Sequence, residues 1–506
     1  MAVVIKGGGM TLEELHRIAV GREKVEIDSA ALERVDNCRA MCQKKIDNHE
    51  IMYGVTTGIG EFSETVLTPE QTQEYQKYLI YSHAAGIGEP VPEEWVRAAM
   101  ASRINVITHG NSGCRREVPL TMAAILNAGV TPVVYDRGSV GACGDLSPMA
   151  QMALVIMGEG EAFYQGERLP AAKALERAGV KPITFQARDG LAAINGSNFI
   201  TGLGSLLLLE MESWIKTHDI AAALTLEVLN VNMSGYDPRL HAARGHQGSI
   251  DTAENIRRLT EGSPLLQREG KKVQDAYSLR STPQSAGPAR TALRHAREVF
   301  LTELNGVGDN PVFFPDDDAV VSGANFQGTP MALALEYASM SMVTAGVLSE
   351  RRLNRLMNPA LSQGLPGFLT HGGGMFSGLM LSQYTAGALV CESRVLSTPA
   401  AVGSIPAAAD QEDFVSMGWT TTLKTRQIMN LLPGVLGIEL IAACQARDFR
   451  GVDFAPATGK VYELIREHVD HLEADRPLFD DNNAAAELVR SGAVLRAAES
   501  AVGALK

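Results

Sequence analysis

Residues Gly138–Gln151 read GSVGACGDLSPMAQ, and this stretch organises the rest of the chain. Its glycines free the backbone for conformations closed to other residues. Ala142, Cys143 and Gly144 put three of the smallest residues together, with one sulfur in the middle. Ser147 and Pro148 fit an N-cap and a first helical residue, opening the apolar run MAQMALVIM. The small-residue loop is then expected at the positive end of a helix, where developing negative charge is stabilised. Standing alone, such a stretch more often marks a glycine turn with an inert buried thiol.

Working outward, the preceding TPVVYDRGSVGAC is the best short strand-and-loop candidate, and GEAFYQGERLP beyond it predicts a hairpin. Upstream, Thr11-Leu12-Glu13-Glu14 reads as a capping box. A second helix is expected from Ser29 to about Asn48, followed by the glycine-rich MYGVTTGIGEFSE. Thr68-Pro69-Glu70 starts a helix carrying Tyr75, Tyr78 and Leu79 toward Ser82-His83. Residues 93–128 predict two helices parted by HGNSGCRRE. Beyond residue 190 the pattern is almost wholly helical. GLGSLLLLEMESWIKTHDIAAALTLEVLNV predicts one long helix or two abutting ones, and MALALEYASMSMVTAGVLSERRLNRLM another. LKTRQIMNLLPGVLGIELIAACQARDF predicts a third, with a break or kink at Pro433-Gly434. Helices apolar nearly all round need neighbours on several sides, which favours a central bundle and burial between subunits. The expected fold is mainly α. A smaller mixed part over residues 1–190 carries the loop, and residues 191–506 form a long central helical bundle with a charged, amphipathic tail.

The 506 residues are 45% apolar, ordinary for a globular protein, and allow a large core. The net charge of −13 argues against nucleic acid as a partner. No stretch reaches about 18 unbroken apolar residues, so no membrane partner is expected. MAVVIKGGGMTLEELHRIAV lacks the basic start and apolar core of a secretory signal. The six cysteines, at 38, 42, 114, 143, 391 and 444, show no zinc-site spacing. A reducing, cytoplasmic setting without a structural metal is expected, with Cys38 and Cys42 as neighbouring buried thiols on one helix.

The 138–151 stretch resembles the prosthetic-group loop of the aromatic amino acid ammonia-lyase family, which includes histidine, phenylalanine and tyrosine ammonia-lyases and related aminomutases. In that family an Ala-Ser-Gly tripeptide cyclises into 4-methylideneimidazol-5-one, an electrophile made from the chain itself. Carried onto this sequence, the Gly144 nitrogen attacks the Ala142 carbonyl, and the middle residue loses its heteroatom to leave an exocyclic methylene. Cys143 stands where the family has Ser; a thiol can leave as hydrogen sulfide much as a hydroxyl leaves as water. The resemblance runs from about Thr11 to the end of the chain and rests on several separated motifs.

Tyr53, in YGVTTGIG, matches the family's catalytic base. A phenol near pKa ~10 is too weakly ionised at neutral pH for that task unless its surroundings lower the value. Asn195, in NGSNF, matches an asparagine that hydrogen-bonds near the prosthetic group and substrate. In QDAYSLR, Gln274, Tyr277 and Arg280 match a block in which Arg binds the substrate carboxylate, a task suited to a guanidinium fork, and Tyr277 is a second active-site tyrosine. Phe326, in GANFQGTP, matches an aromatic beside the electrophile.

Ser82-His83 and Glu412, in DQEDFVSMG, follow the histidine-type pattern. An imidazole and a carboxylate suit a polar heteroaromatic ring and not a bare phenyl. Phe414 and Gln327 depart from it, since histidine-type enzymes carry His at both positions. The resemblance thus implies a histidine catabolism enzyme that eliminates ammonia from L-histidine to give trans-urocanate, in a homotetramer with shared active sites and no metal. Two alternatives stay open: a tyrosine ammonia-lyase or tyrosine 2,3-aminomutase on the same scaffold, and a lyase without the prosthetic group acting on a betaine-type amine.

Overall fold

The computed structural model describes residues 2–506. Among the described residues, nineteen α-helices and five short 3-10 segments together hold about 59%, in keeping with a mainly α fold. Among the described residues, strands form four small sheets of two or three strands. Local signals explain many helix starts. Thr11 and Glu14 close a reciprocal capping box on Leu12–Ala19, and Thr68 and Gln71 close another on Pro69–His83. The expected hairpin forms, with Glu161–Tyr164 antiparallel to Glu167–Pro170.

Two expectations need correction. Ser147 is not an N-cap: the helix is Leu146–Ile156 and its cap residue is Asp145, which makes no side-chain capping bond. The Asp145 carboxylate is engaged elsewhere, as described below. Of the break or kink expected at Pro433-Gly434, the break does not occur; Gly418–Arg450 runs through it as one 33-residue element. Tertiary burial outweighs the lost backbone hydrogen bond, since Val435 and Leu436 just beyond are fully buried. The uncertainty over one helix or two resolves to one, Asn198–Val228.

The chain divides into two compact units. The first gathers the residues up to Leu207 with Ala296–Leu335 and Pro399–Leu423. Within it, Glu93–Ile107 is buried along nearly its whole length from Trp95 onward. The polar residues of that helix are used structurally. Arg97 donates to the carbonyls of Ile18, Ala19 and Leu126, satisfying acceptors at the ends of two neighbouring helices. Arg103 and Arg188 are fully buried, and the Asp309 carboxylate lies between them, accepting at 3.0 Å and 2.8 Å. Cys38 and Cys42 are both buried, in one cluster with Met52, Val55 and Phe313.

The second unit comprises Leu208–His295, Glu336–Thr398 and Lys424–Lys506. A polar layer ties its helices together. The fully buried Glu439 accepts from Arg352 Nε at 2.6 Å, Ser349 Oγ at 2.5 Å and Thr225 Oγ1 at 2.8 Å. Its partners come from Asn198–Val228 and Thr329–Met357, so one carboxylate links three helices. Thr329–Met357 and Gly418–Arg450 are long and apolar enough to cross a bilayer by length and composition, but 61% and 78% of their apolar windows are buried inside the protein.

Candidate active site

The 138–151 loop is as tight as its composition implies. Cys143 has a left-handed φ of 51°, and Gly144 follows at 79°. A Cβ at Gly144 would stand 2.3 Å from the Gly196 carbonyl carbon, and one at Gly141 would stand 2.1 Å from Ser416 Oγ. Gly144 pairs with Gly196 in a parallel bridge, and the Asp145 N–H donates to the Gly196 carbonyl at 2.9 Å. Asp145 is fully buried; its carboxylate accepts the Ile200 N–H at 2.9 Å and the Ser139 hydroxyl at 3.2 Å. Burial pushes its pKa up to about 7, against the pull of those hydrogen bonds. Asp145 therefore spends its side chain fastening the loop to the start of Asn198–Val228.

Beside the loop lies a cavity of about 590 Å³, lined by Ile59, Gly60, Tyr75, His83, Ala408 and Glu412 among others. Glu412 reaches back to the loop: its Oε1 accepts the Cys143 S–H at 3.2 Å. The residue rides on a small hairpin, with Ala407 and Glu412 paired through both backbone hydrogen bonds. The intervening Ala408, Ala409 and Asp410 all have positive φ, at 49°, 53° and 67°. On the helix Pro69–His83, His83 Nδ1 faces the Leu79 carbonyl at 2.7 Å. A carbonyl only accepts, so Nδ1 carries the proton and Nε2 is the ring's acceptor. Burial lowers the His83 pKa, with the Leu79 carbonyl and Glu412 opposing, so the imidazole is neutral.

Tyr53 is half-buried, and its hydroxyl oxygen accepts the Gly60 N–H at 3.1 Å. Sequence reasoning required surroundings that lower its pKa. Within this chain they do the opposite: burial is the main cause of a rise to about 12, and the neighbouring Cys143 sulfur and Glu412 carboxylate add to it. Asn195 is held by its own backbone, whose carbonyl accepts from Arg103 at 2.9 Å. Its Nδ2 donates to the Asn310 carbonyl at 2.7 Å, while its buried Oδ1 has no partner among the described residues. Phe326 is half-buried, its carbonyl accepting the Ser197 hydroxyl at 2.7 Å. Gln327 reaches the Phe414 carbonyl at 3.5 Å, and Phe414 is exposed.

The aromatic amino acid lyase family model matches residues 10–467. The chain is 46% identical over 508 residues to the histidine ammonia-lyase of Symbiobacterium thermophilum, covering the whole of both. This chain belongs to the aromatic amino acid lyase family. Among solved structures it is similar to the tyrosine aminomutase of Streptomyces globisporus, with a TM-score of 0.95 and 34% identity over the whole of both chains. It is likewise similar to the histidine ammonia-lyase of Trypanosoma cruzi, with a TM-score of 0.92 and 36% identity over 99% of this chain and 96% of that one.

For an aromatic amino acid lyase, the expected residues fall into two groups. Tyr53, His83, Ala142, Cys143, Gly144, Asn195, Phe326 and Glu412 all belong to the first unit. Gln274, Tyr277 and Arg280 belong to the second. Tyr277 is 73% exposed, the Arg280 guanidinium lies 4.6 Å over its ring, and Arg280 Nε donates to the Asp275 carbonyl at 2.8 Å. Gln274 is exposed. Sequence reasoning overlooked Asp145, Ser139 and Ser416. Asp145 directly follows the small-residue turn, and that adjacency was the available signal; Ser416 has none, because its approach to Gly141 is purely tertiary.

Proposed function

We propose that this chain is a histidine ammonia-lyase, a carbon–nitrogen lyase that removes ammonia from L-histidine without oxidation and releases trans-urocanate. The observation that carries the reading is the placement of His83 and Glu412 on one cavity, with Glu412 in hydrogen-bond contact with Cys143. His83 Nε2 and the Glu412 carboxylate are both acceptors, so together they match the two N–H groups of a protonated imidazole ring, and a phenyl ring would leave both unpartnered. Tyrosine is the second reading, favoured by Phe414 and Gln327, since the His83 ring can also bond a phenol.

Ala142, Cys143 and Gly144 are the residues that would become the methylideneimidazolone. They fit it: the turn already has left-handed geometry at 143 and 144, and no room for a Cβ at 144. Once formed, the group supplies an electrophile for the substrate nitrogen. The chain's side chains do the rest. Tyr53 takes the β-proton; its raised pKa makes the phenolate scarce at neutral pH and strongly basic when present. Asn195 offers its free Oδ1 beside the loop. Phe326 packs near the reacting centre. Arg280 grips the substrate carboxylate as a fork, with Gln274 and Tyr277 alongside, supplied by another copy of the chain in a cytoplasmic homotetramer.

Incubation with L-histidine and, separately, L-tyrosine tests the reading. Urocanate absorbance from histidine is the expected result. Coumarate from tyrosine with no urocanate would replace histidine as substrate, and a β-amino acid product would mark mutase chemistry. An unmodified intact mass in active enzyme would move the reading to a betaine-type amine.

A further inference from the structure

We infer that Glu412 has a task before any substrate arrives: it holds the Cys143 thiol in place while the loop matures. This rests on the proposed cyclisation of residues 142–144. The contact is specific. Glu412 Oε1 accepts the S–H at 3.2 Å, and the same oxygen sits 3.5 Å from where a Cβ on Gly60 would be. The Glu412 hairpin has its own closure, two backbone hydrogen bonds around three consecutive left-handed residues. Strained backbone of that kind persists where surrounding structure needs a side chain aimed.

The chemistry explains why an acceptor is wanted there. The Gly144 nitrogen bonds to the Ala142 carbonyl carbon, and the Ala142 oxygen leaves as water with the Gly144 and Cys143 amide protons. Cys143 then gives its Cα proton to solvent. The freed electron pair becomes the exocyclic double bond as the Cβ–S bond breaks, and sulfur departs as hydrosulfide, which solvent protonates to hydrogen sulfide. A thiolate would have to leave as a sulfide dianion, so the sulfur must keep its proton. Burial and the facing Glu412 carboxylate both push the thiol pKa well up and hold it as S–H. The hydrogen bond also selects one position for the sulfur, toward Glu412, which itself lines the cavity. Glu412 is thus a positioning residue for maturation, and it recognises the substrate ring only after the sulfur has gone.

The test follows the full-length chain after a short pulse of synthesis, by intact mass and by thiol titration in denaturant. The wild-type chain should lose one water and one hydrogen sulfide, and one of its six thiols. Glu412→Ala removes the acceptor and should slow thiol loss by about tenfold, the equivalent of one hydrogen bond. Glu412→Gln keeps an acceptor oxygen at the same reach and should mature at close to the wild-type rate while turning over histidine poorly. Should Glu412→Ala fail to fold, Glu412→Met offers similar volume without an acceptor and the same expected delay. Maturation of Glu412→Ala or Glu412→Met at the wild-type rate overturns this inference alone, as does Glu412→Gln maturing as slowly as they do. A wild-type chain that never loses the sulfur overturns the cyclisation and this inference with it.

Discussion

Replacing Asp309 by Asn withdraws the only negative charge lying directly between Arg103 and Arg188, two side chains with no exposed surface among the described residues. Asparagine keeps the shape but only one acceptor oxygen, so beyond the lost charge one guanidinium meets an amide N–H in place of its acceptor. Breaking a buried ion pair from one side costs about 3–5 kcal/mol, because the stranded charge remains desolvated. Here two guanidiniums are stranded together, yet both keep carbonyl acceptors: Arg103 those of Ala192, Asn195 and Gly308, and Arg188 those of Ser112, Asn310 and Pro311. The expected cost is therefore about 3 kcal/mol, a drop in melting midpoint of about 3–5 °C for a chain of this size. Differential scanning fluorimetry of wild type, Asp309→Asn and the exposed control Asp317→Asn reads this directly. The control should move by no more than a degree or two, as surface changes do. Because Arg103 also holds the Asn195 carbonyl, turnover of Asp309→Asn should fall at temperatures well below its midpoint. A midpoint within about 1 °C of wild type would refute the reasoning, since it would mean the carbonyls alone neutralise the pair.

Gly144→Ala should destabilise the loop by about 2–5 kcal/mol, from left-handed strain plus a clash with the Gly196 backbone, and should block loss of the Cys143 sulfur; a matured Gly144→Ala chain in an intact-mass measurement would contradict this. With the Tyr53 pKa raised to about 12, kcat/KM should climb as pH rises through the neutral range, and Tyr53→Phe should lose 10²-fold or more of turnover; a flat profile from pH 7 to 10 would remove Tyr53 as the base. Asp145 and Glu303 both have pKa values pushed up to about 7, Asp145 by burial and Glu303 by burial and the nearby Asp145 charge. Groups raised on folding favour the folded state while protonated, so their contribution is full below their unfolded values near 4 and is lost as pH rises toward 7. Thermal midpoints measured between pH 4.5 and 7.5 should fall less steeply in Asp145→Asn than in wild type, and equal slopes would disprove the assignment.

What the sequence disclosed tracks how local each signal is. Thr11 with Glu14, and Thr68 with Gln71, cap their helices from three residues away, and both were legible. So was the 161–170 hairpin. Ser147 misled because a Ser-Pro pair ahead of an apolar run has the chemistry of a cap, while the true cap position, Asp145, uses its carboxylate on Ile200 and Ser139. At Pro433 no break forms because a buried helix tolerates one missing hydrogen bond that an isolated one does not. At the site, the residue types at 53, 83, 142–144 and 412 were legible through resemblance. The environment of Tyr53 was not, since burial is decided by chain segments hundreds of residues away. Arg103 and Arg188 carry no local pattern that reveals Asp309 as their shared partner.

The hairpin from Ala407 to Glu412 closes on its own backbone, and three of its residues stand in a conformation that an L side chain resists by about 1 kcal/mol or more each. Glycine at any of these three positions should therefore be tolerated at little cost, whereas a β-branched residue should not. Because the carboxylate at its closing pair is held by so small a device, a descendant could trade it for another group and court a different ring while leaving the helical scaffold untouched. Taste and sturdiness are inherited separately in this molecule.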